Sequence, residues 1–329
     1  MGGLGAAVEL AGNGKKTLLL EQHNLPGGYA TSFVRGRFEF EPSLHELGSA
    51  GFSEEEKRGL RKYFEDDIGA NIGFARIPEA YRLILTGKKI NIKIPFGVDN
   101  FIDTIESAVP GSRKSVSEYI DLCRETVQAL EFLGKSGAEV DKRFLLKEYG
   151  NFLRTVPYTM KEVADTLKMP REILDLLYPY FCYVGVPESR QSFMLFAAML
   201  YSYIAYGAVI PKMRSHEIAV AMIAKFEEHG GLLELNTKVE QILASNGKIK
   251  GVVTSHGEEI ASSVVVSNAG PPLVYGNLVN PKTQVPAAAL RNLNARKAGP
   301  SAFVVYLGLN ASIEQLGLTD YSYFISPHM

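Results

Sequence analysis

Small residues and an acid near the start of the chain have the spacing of a dinucleotide site. Gly2 and Gly3 open the segment "MGGLGAAVEL", and Glu21 ends the run "KTLLLE", 18 residues after Gly3. In a βαβ dinucleotide-binding unit, the last glycine of G-x-G-x-x-G precedes a ribose-binding acid by nearly this distance. The helix N-terminus would face a pyrophosphate, and the carboxylate would accept hydrogen bonds from ribose hydroxyls.

A small-residue helix and a short buried strand must position these groups. The helix is predicted to run to about Ala11, with "GNGK" as a turn before the strand "KTLLLE". Gly3 fits the third glycine of the motif, so we expect the first two glycines and the strand before them to lie upstream of Met1. The alternative is that "GGLGAA" only begins a small-residue helix, without a ligand.

A second glycine pair follows the acid in "EQHNLPGGYATS". This pattern resembles the extended signature of two-domain FAD oxidoreductases. The resemblance implies that Gly27 and Gly28 let the backbone turn beneath the cofactor's phosphates and ribose, and that Thr31 and Ser32 offer hydroxyl donors. It also implies that the loop carrying Ser43, His45 and Gly48 lies near the flavin ring. His45 is therefore a candidate for chemistry, although it could equally be a structural histidine.

A second match lies some 200 residues further on, in "HGGLLELNTKVEQILASNGKIKGVVTSHGEEIASSVVVSNAGP". The predicted strands are 238–243, 249–254 and 263–268, the last buried on both faces. This stretch resembles the point at which an FAD domain resumes after an insertion. Val239 matches the residue whose backbone meets the adenine, and Asn268 and Ala269 lie at a strand end where α/β cofactor sites are found.

Together these segments resemble the phytoene desaturase, carotenoid isomerase and retinol saturase family of flavoproteins. The resemblance implies an α/β fold, in which an inserted α+β substrate domain interrupts a Rossmann-like FAD-binding domain. The expected divisions are 1–75 and 211–275 for the FAD domain, and 76–210 and 276–329 for the substrate domain, the last with an incomplete returning strand. The implied chemistry is hydride transfer between FAD and a lipophilic, polyene-like substrate.

Two departures from the family pattern qualify this expectation. Met213 and Arg214 occupy positions where the family usually has glycines, so bulky side chains would intrude near the substrate side of the flavin. The sequence also ends at Met329, before the family's C-terminal segment. A catalytically silent fragment, or a pseudoenzyme that binds apolar ligands, is therefore the main alternative. An amine-oxidising flavoenzyme is a further one, because it shares the cofactor motifs.

The middle of the chain is predicted to be mostly helical. Helices are expected at 99–109, 115–134, 143–154, 159–168 and 170–178, after a hairpin that turns at Thr86-Gly87. Ser53 and Glu56 have capping-box spacing for an earlier charged helix. The uncharged stretch 193–210 meets the lower length limit for a transmembrane helix, but polar tips within it favour a buried helix lining an apolar cavity.

The composition and charge of the chain limit the kinds of molecule that it is expected to bind. The 329-residue chain carries a net charge of −1, so no global field favours nucleic acid. No metal-ligand cluster or Ser-His-Asp pattern is visible, and the two cysteines are far apart. No secretory signal is visible either. We therefore expect a cytoplasmic protein with a lipophilic small-molecule substrate and, at most, peripheral contact with a membrane. The sequence leaves the oligomeric state open.

Overall fold

The computed structural model describes residues 1–51, 53–137, 139–296, 299 and 301–327. The chain divides into two compact units. The first unit comprises Met1–His45, Lys62–Ala75 and Ile210–Ala298, and the second comprises Glu46–Arg61, Arg76–Val209 and Gly299–Met329. These units differ from the expected boundaries at 46–61, which lie in the second unit, and at 276–298, which lie in the first.

The helices and strands are numbered in chain order. The helices are α1 (Gly2–Gly12), α2 (Gly59–Lys62), α3 (Val98–Ala108), α4 (Arg113–Ser136), α5 (Lys142–Glu148), α6 (Gly150–Thr155), α7 (Met160–Thr166), α8 (Arg171–Leu177), α9 (Phe193–Tyr206), α10 (His216–Glu228), α11 (Pro271–Leu273) and α12 (Ala287–Ala295). The strands are β1 (Leu18–Leu20), β2 (Phe33–Arg35), β3 (Phe38–Phe40), β4 (Leu47–Gly48), β5 (Phe74–Arg76), β6 (Tyr81–Leu85), β7 (Ile90–Ile94), β8 (Ala208–Pro211), β9 (Leu232–Glu234), β10 (Val239–Ser245), β11 (Lys248–Thr254), β12 (Glu259–Ala261), β13 (Val279–Asn280) and β14 (Tyr323–Ser326).

In the first unit, α1 packs against α10 and against β1. Its buried residues are Leu4, Ala7, Val8 and Ala11, a spacing that puts them on one helix face. β1 pairs in parallel with β9, with Leu18 opposite Leu232. β10, β11 and β12 form an antiparallel meander, and its small core contains Ile242 and Val252.

One predicted strand of this unit is wrong. The segment 263–268 adopts no strand conformation, and Val264 and Val266 are 69% and 59% exposed. A strand needs a hydrogen-bonded neighbour, and among the described residues no strand pairs with this segment. Val264 and Val266 therefore remain in solvent, whereas Val265 packs, partly buried, on the small core of this unit.

The second unit is built on the hairpin β6–β7 and a layer of helices. Tyr81 of β6 lies opposite Ile94 of β7, and β14 pairs with β6 in parallel. α4 packs along α9, and both contribute to one large core. Helix α9 has 14 residues, or about 21 Å, which is less than the about 30 Å thickness of the hydrocarbon core of a bilayer.

Two helix predictions in this unit need correction. The predicted helix 143–154 is broken at Tyr149, whose φ of −124° and ψ of 42° are not helical. The predicted capping box at Ser53 does not start a helix: residues 53–56 form bends and a turn, and the next helical turn begins only at Gly59, whose φ is 53°. A capping box is found instead at Thr159, whose side chain accepts from the N–H of Glu162 while Glu162 accepts from the N–H of Thr159.

Candidate functional site

The N-terminus of α1 is a close-packed, uncapped helix start. A Cβ added to Gly2 would lie 2.5 Å from Oδ1 of Asn268, and one added to Gly3 would lie 3.3 Å from its Cβ. A side chain at residue 2 would require the Asn268 amide group to move. Met1 precedes the helix without a side-chain capping bond. The N–H groups of the first turn therefore point outward with their partial positive charge, which is how helix termini bind phosphate.

Glu21 lies at the carboxyl end of β1. Its N–H donates to the carbonyl of Glu234 at 2.9 Å, and its own carbonyl accepts from the N–H of Thr237 at 2.9 Å. One carboxylate oxygen, Oε1, accepts the N–H of His23 at 2.9 Å. α1 contacts β1, and Glu21 is the residue that follows the last residue of this strand. Gly2, Gly3 and Glu21 all lie in the first unit.

Gly27 and Gly28 form the tight turn expected of them, with φ values of 110° and 63°. A Cβ at Gly27 would lie 2.6 Å from the carbonyl oxygen of Ala30 and 2.8 Å from Cβ of Ala219 in α10. A Cβ at Gly28 would meet nothing within 4 Å, so its backbone faces open space. Gly27 is required for packing, whereas Gly28 is free to approach a ligand.

Two predicted donors of this loop are used inside it. The Thr31 hydroxyl donates to the carbonyl of Gly28 at 3.0 Å, and the Ser32 hydroxyl donates to the carboxylate of Glu39. In this conformation their protons hold the loop together instead of facing a ligand. The sequence could not show this, because Glu39 reaches Ser32 only through the antiparallel pair β2–β3.

The remaining predicted cofactor residues lie in the same unit. Val239 is the first residue of β10, opposite Thr254, and it packs on the small core that includes Leu20 of β1. Asn268 contacts the start of α1, as described above. Ala269 is exposed, and its N–H donates to the Ser267 hydroxyl at 3.2 Å. Asn268 therefore lies beside the start of α1, and Ala269 is the next residue in the chain.

Met213 and Arg214 do not fill an enclosed space. The Met213 side chain is 73% exposed. Arg214 has a φ of 70° and lies 3.9 Å from the carboxylate of Glu39. The open groove beside them runs along α10 and is lined by Met213, His216 and Val220, with a volume of about 540 Å³.

His45 is exposed, whereas its neighbour Glu46 is 6% exposed. Sequence reasoning singled out the histidine and missed the glutamate. Burial raises the pKa of the Glu46 carboxyl to about 7, and a hydrogen bond from the Tyr183 hydroxyl at 2.7 Å partly offsets this rise. The other oxygen of Glu46, Oε2, has no hydrogen-bond partner among the described residues.

Four tyrosines surround this carboxyl, and we call Tyr81, Tyr180, Tyr183 and Tyr203 the tyrosine cluster. The rings of Tyr180 and Tyr203 stack at 4.7 Å, and Tyr81 meets Tyr180 edge-on at 5.0 Å. Tyr183 lies 5.5 Å from Tyr180 and 5.9 Å from Tyr203. Burial is the main cause that raises the pKa of each of these phenols, and the nearby Glu46 carboxyl adds to the rise. No sequence motif predicts the tyrosine cluster, because its members come from separate elements.

Two further properties concern only the described part of the chain. Within it, no three His, Cys, Asp or Glu side chains are grouped closely enough to hold a metal ion. Nor does any helix in that part combine the length and the apolar character needed to cross a bilayer.

Comparison with known proteins identifies the class to which this fold and site belong. Residues 1–315 match the family described as Flavin containing amine oxidoreductase, and the chain belongs to that family. The prediction of a flavin cofactor is therefore confirmed. A crystal structure of an oxidoreductase from Methanosarcina mazei is similar in fold, with a TM-score of 0.64 and 15% identity over 90% of this chain and 63% of its own. This confirms the expected Rossmann-like α/β class.

More specific relatives agree with the predicted subgroup. An all-trans-retinol 13,14-reductase of Danio rerio is 28% identical over 99% of this chain and 55% of its own length. A prolycopene isomerase of Daucus carota is 22% identical over 95% of this chain and 51% of its own length. The chain therefore spans about half the length of the curated relatives that it matches. The resemblance to retinol saturases and carotenoid isomerases is confirmed at the level of sequence similarity.

Proposed function

We propose that the protein is an FAD-dependent oxidoreductase that transfers hydride to or from a lipophilic, polyene-like substrate. The observation that carries this proposal is the packing of α1 on β1: α1 begins at Gly2 beside Asn268 without a side-chain cap, and Glu21 directly follows β1. Anionic phosphates are favoured at such a helix start, and an acid at the adjacent strand end recognises ribose. The relatives named above supply the substrate class, since retinol and prolycopene are both polyenes.

Each of these residues has a distinct part in the proposed FAD site. The N–H groups at Gly2 and Gly3 bind the pyrophosphate. The other carboxylate oxygen of Glu21, Oε2, accepts a hydrogen bond from a ribose hydroxyl. The backbone at Gly28 lies under the cofactor, since it faces open space. Asn268 holds the helix start in place, and Val239 places its backbone against the adenine. The bound flavin supplies the hydride chemistry, so these residues need only bind and orient it.

The substrate is placed on the second unit in this proposal. That unit holds the aromatic-rich helix α9, and apolar and aromatic side chains of this kind line sites for apolar molecules. His45 remains a proposal for a residue that faces the flavin. A cytoplasmic location and peripheral contact with membranes also remain proposals, consistent with a substrate that dissolves in lipid.

The direct test of this function combines binding with turnover. The chain is titrated with FAD and, separately, with NAD, and binding is followed by flavin fluorescence and by calorimetry. FAD binding without NAD binding is expected. The reduced complex is then incubated anaerobically with all-trans-retinol. The products are separated, and their masses are measured by mass spectrometry. A product heavier by two hydrogens, or a shifted double bond, supports the proposal. Oxidation of putrescine without any reaction on retinol would support amine oxidation instead.

A further inference from the structure

Helix α5 lies on the surface of the second unit. Within the described part of the chain, none of its seven residues is buried. The Phe144 ring packs on Phe132 of α4, with ring centroids 4.9 Å apart, and the Tyr149 ring lies 5.8 Å from Phe132 and 6.0 Å from Phe144. These three rings attach α5 to α4, and the other side chains of the helix are left to contact solvent or a partner.

A leucine lies among three cations on α5. The Leu146 side chain is 65% exposed, and Lys142, Arg143 and Lys147 are exposed as well. Lys142 and Arg143 precede Leu146 by four and three positions, so these side chains share one side of the helix. Lys147 follows Arg143 by four positions and extends the same side. We call Lys142, Arg143, Leu146 and Lys147 the basic face.

Most of the positive charge of the basic face is not neutralised. Lys147 lies 3.0 Å from the carboxylate of Glu148, but among the described residues no carboxylate pairs with Lys142 or Arg143. The nearby Asp141 carboxylate accepts the backbone N–H of Arg143 at 2.9 Å and so caps the start of the helix. The basic face therefore combines unpaired cations with an exposed apolar side chain.

An anionic lipid bilayer has the two layers that such a face would contact. Its charged headgroups attract lysine and arginine, and the acyl chains just beneath them bury an apolar side chain. A nucleic acid offers phosphates but no apolar layer for Leu146. Helix α9 provides the contrast, because Leu195 is 55% exposed on a helix without any charged residue. The signal is thus the leucine among unpaired cations, and not the exposure of a leucine alone.

We propose that the basic face of α5 is the surface through which this protein contacts anionic membranes. The contact is peripheral, because seven helical residues span only about 10 Å. Leu146 enters the headgroup region, and the three cations remain at the level of the lipid phosphates. The proposal rests on the peripheral membrane contact proposed above and not on the FAD reaction. Binding should be weak and reversible, no tighter than the about 10⁴ M⁻¹ of a single myristoyl chain.

The test measures binding of the cofactor-free chain to vesicles, so its failure would leave the proposed FAD reaction standing. Vesicles of phosphatidylcholine, with or without phosphatidylserine, are supplied at millimolar lipid and separated by flotation. Binding that requires phosphatidylserine and falls with added salt is expected. Lys142→Glu should bind about 30-fold more weakly, because it changes the charge of the basic face by two. Leu146→Ser should bind about 5- to 20-fold more weakly, because it removes the apolar side chain.

Two controls match these substitutions. Lys114→Glu makes the same charge change at an exposed lysine of α4, about 27 Å along that helix from Phe132. Leu195→Ser removes an exposed leucine that has no cations beside it. Both should bind as wild type does, and thermal unfolding checks that every variant is folded. Lys142→Glu is suited to this test, because an acid in the first turn of α5 favours the helix.

Three results would overturn the proposal. The first is a wild-type chain that does not bind the phosphatidylserine vesicles, or that binds both kinds of vesicle equally. The second is wild-type affinity in both Lys142→Glu and Leu146→Ser. The third is binding to polyglutamate without binding to vesicles, which would assign the basic face to an acidic protein instead.

Discussion

At the scale of the residue, the raised pKa of Glu46 predicts how the stability of the fold depends on pH, whatever reaction the protein catalyses. Its pKa is about 7 in the folded chain and 4.5 in the unfolded chain. Between these values the folded state holds a proton that the unfolded state has lost, so stability falls as the pH rises. The loss is complete above pH 7. Its size is about 3 kcal/mol, at about 1.36 kcal/mol for each pKa unit.

Glu46→Gln removes this dependence. Near pH 4.5 the variant and wild type should be nearly equal in stability, and by pH 8.5 the variant should be more stable by up to about 3 kcal/mol. The measurement is the free energy of unfolding in urea at both pH values, with Glu79→Gln as the comparison. A difference between Glu46→Gln and wild type that does not change with pH would show that Glu46 is ionised in the folded chain.

At the scale of the element, strand β4 packs against helix α9 through a glycine. A Cβ at Gly48 would lie 2.7 Å from Cε1 of Tyr203. Gly48→Ala should therefore push that ring and destabilise the fold by about 1–3 kcal/mol. Gly134→Ala is the matched control, because a Cβ there meets nothing within 4 Å and the residue lies in α4. The control should be stabilised by up to about 1 kcal/mol in thermal or urea unfolding. Equal effects of the two substitutions would contradict the packing.

Helix α9 carries a second prediction, which separates a core helix from a lipid-facing one. Leu200 is fully buried and Leu195, on the same helix, is 55% exposed. In a core helix Leu200→Ala should lower the free energy of unfolding by about 2–5 kcal/mol, whereas Leu195→Ala should change it by less than about 0.5 kcal/mol. Unfolding in urea without detergent measures both. A chain that needs detergent to stay folded, with both substitutions equally mild, would favour the transmembrane interpretation of 193–210.

Local signals in the sequence predicted several elements of the first unit correctly. The spacing of Gly3 and Glu21, the turn at Gly27-Gly28 and the hairpin strands β10–β11 could all be predicted, because each depends on residues close together in the chain. The segment 263–268 could not, because whether a β-branched run forms a strand depends on a neighbour that pairs with it. The break at Tyr149 likewise depends on packing rather than on helix propensity.

At the scale of the whole molecule, the site that sequence reasoning missed is the one assembled from distant segments. Glu46, Tyr81, Tyr183 and Tyr203 are separated by between 20 and 157 positions, so no motif links them. Burial raises the pKa of the Glu46 carboxyl to about 7, and burial is a property of the folded unit. The proposed FAD-binding residues lie in the first compact unit, and the tyrosine cluster lies in the second.

The central claim is that the residues at the start of α1 and the end of β1 bind FAD, and a binding titration of matched variants tests it most directly. FAD affinity is measured by calorimetry for wild type, Glu21→Ala and Glu259→Ala, the last an exposed acid on β12 of the same unit. Wild type and Glu259→Ala should bind equally. Glu21→Ala should bind about 10- to 150-fold more weakly, because a ribose hydroxyl loses a charged acceptor worth about 1.5–3 kcal/mol. Equal affinity in all three, or wild type that takes up NAD but no FAD, would contradict the claim.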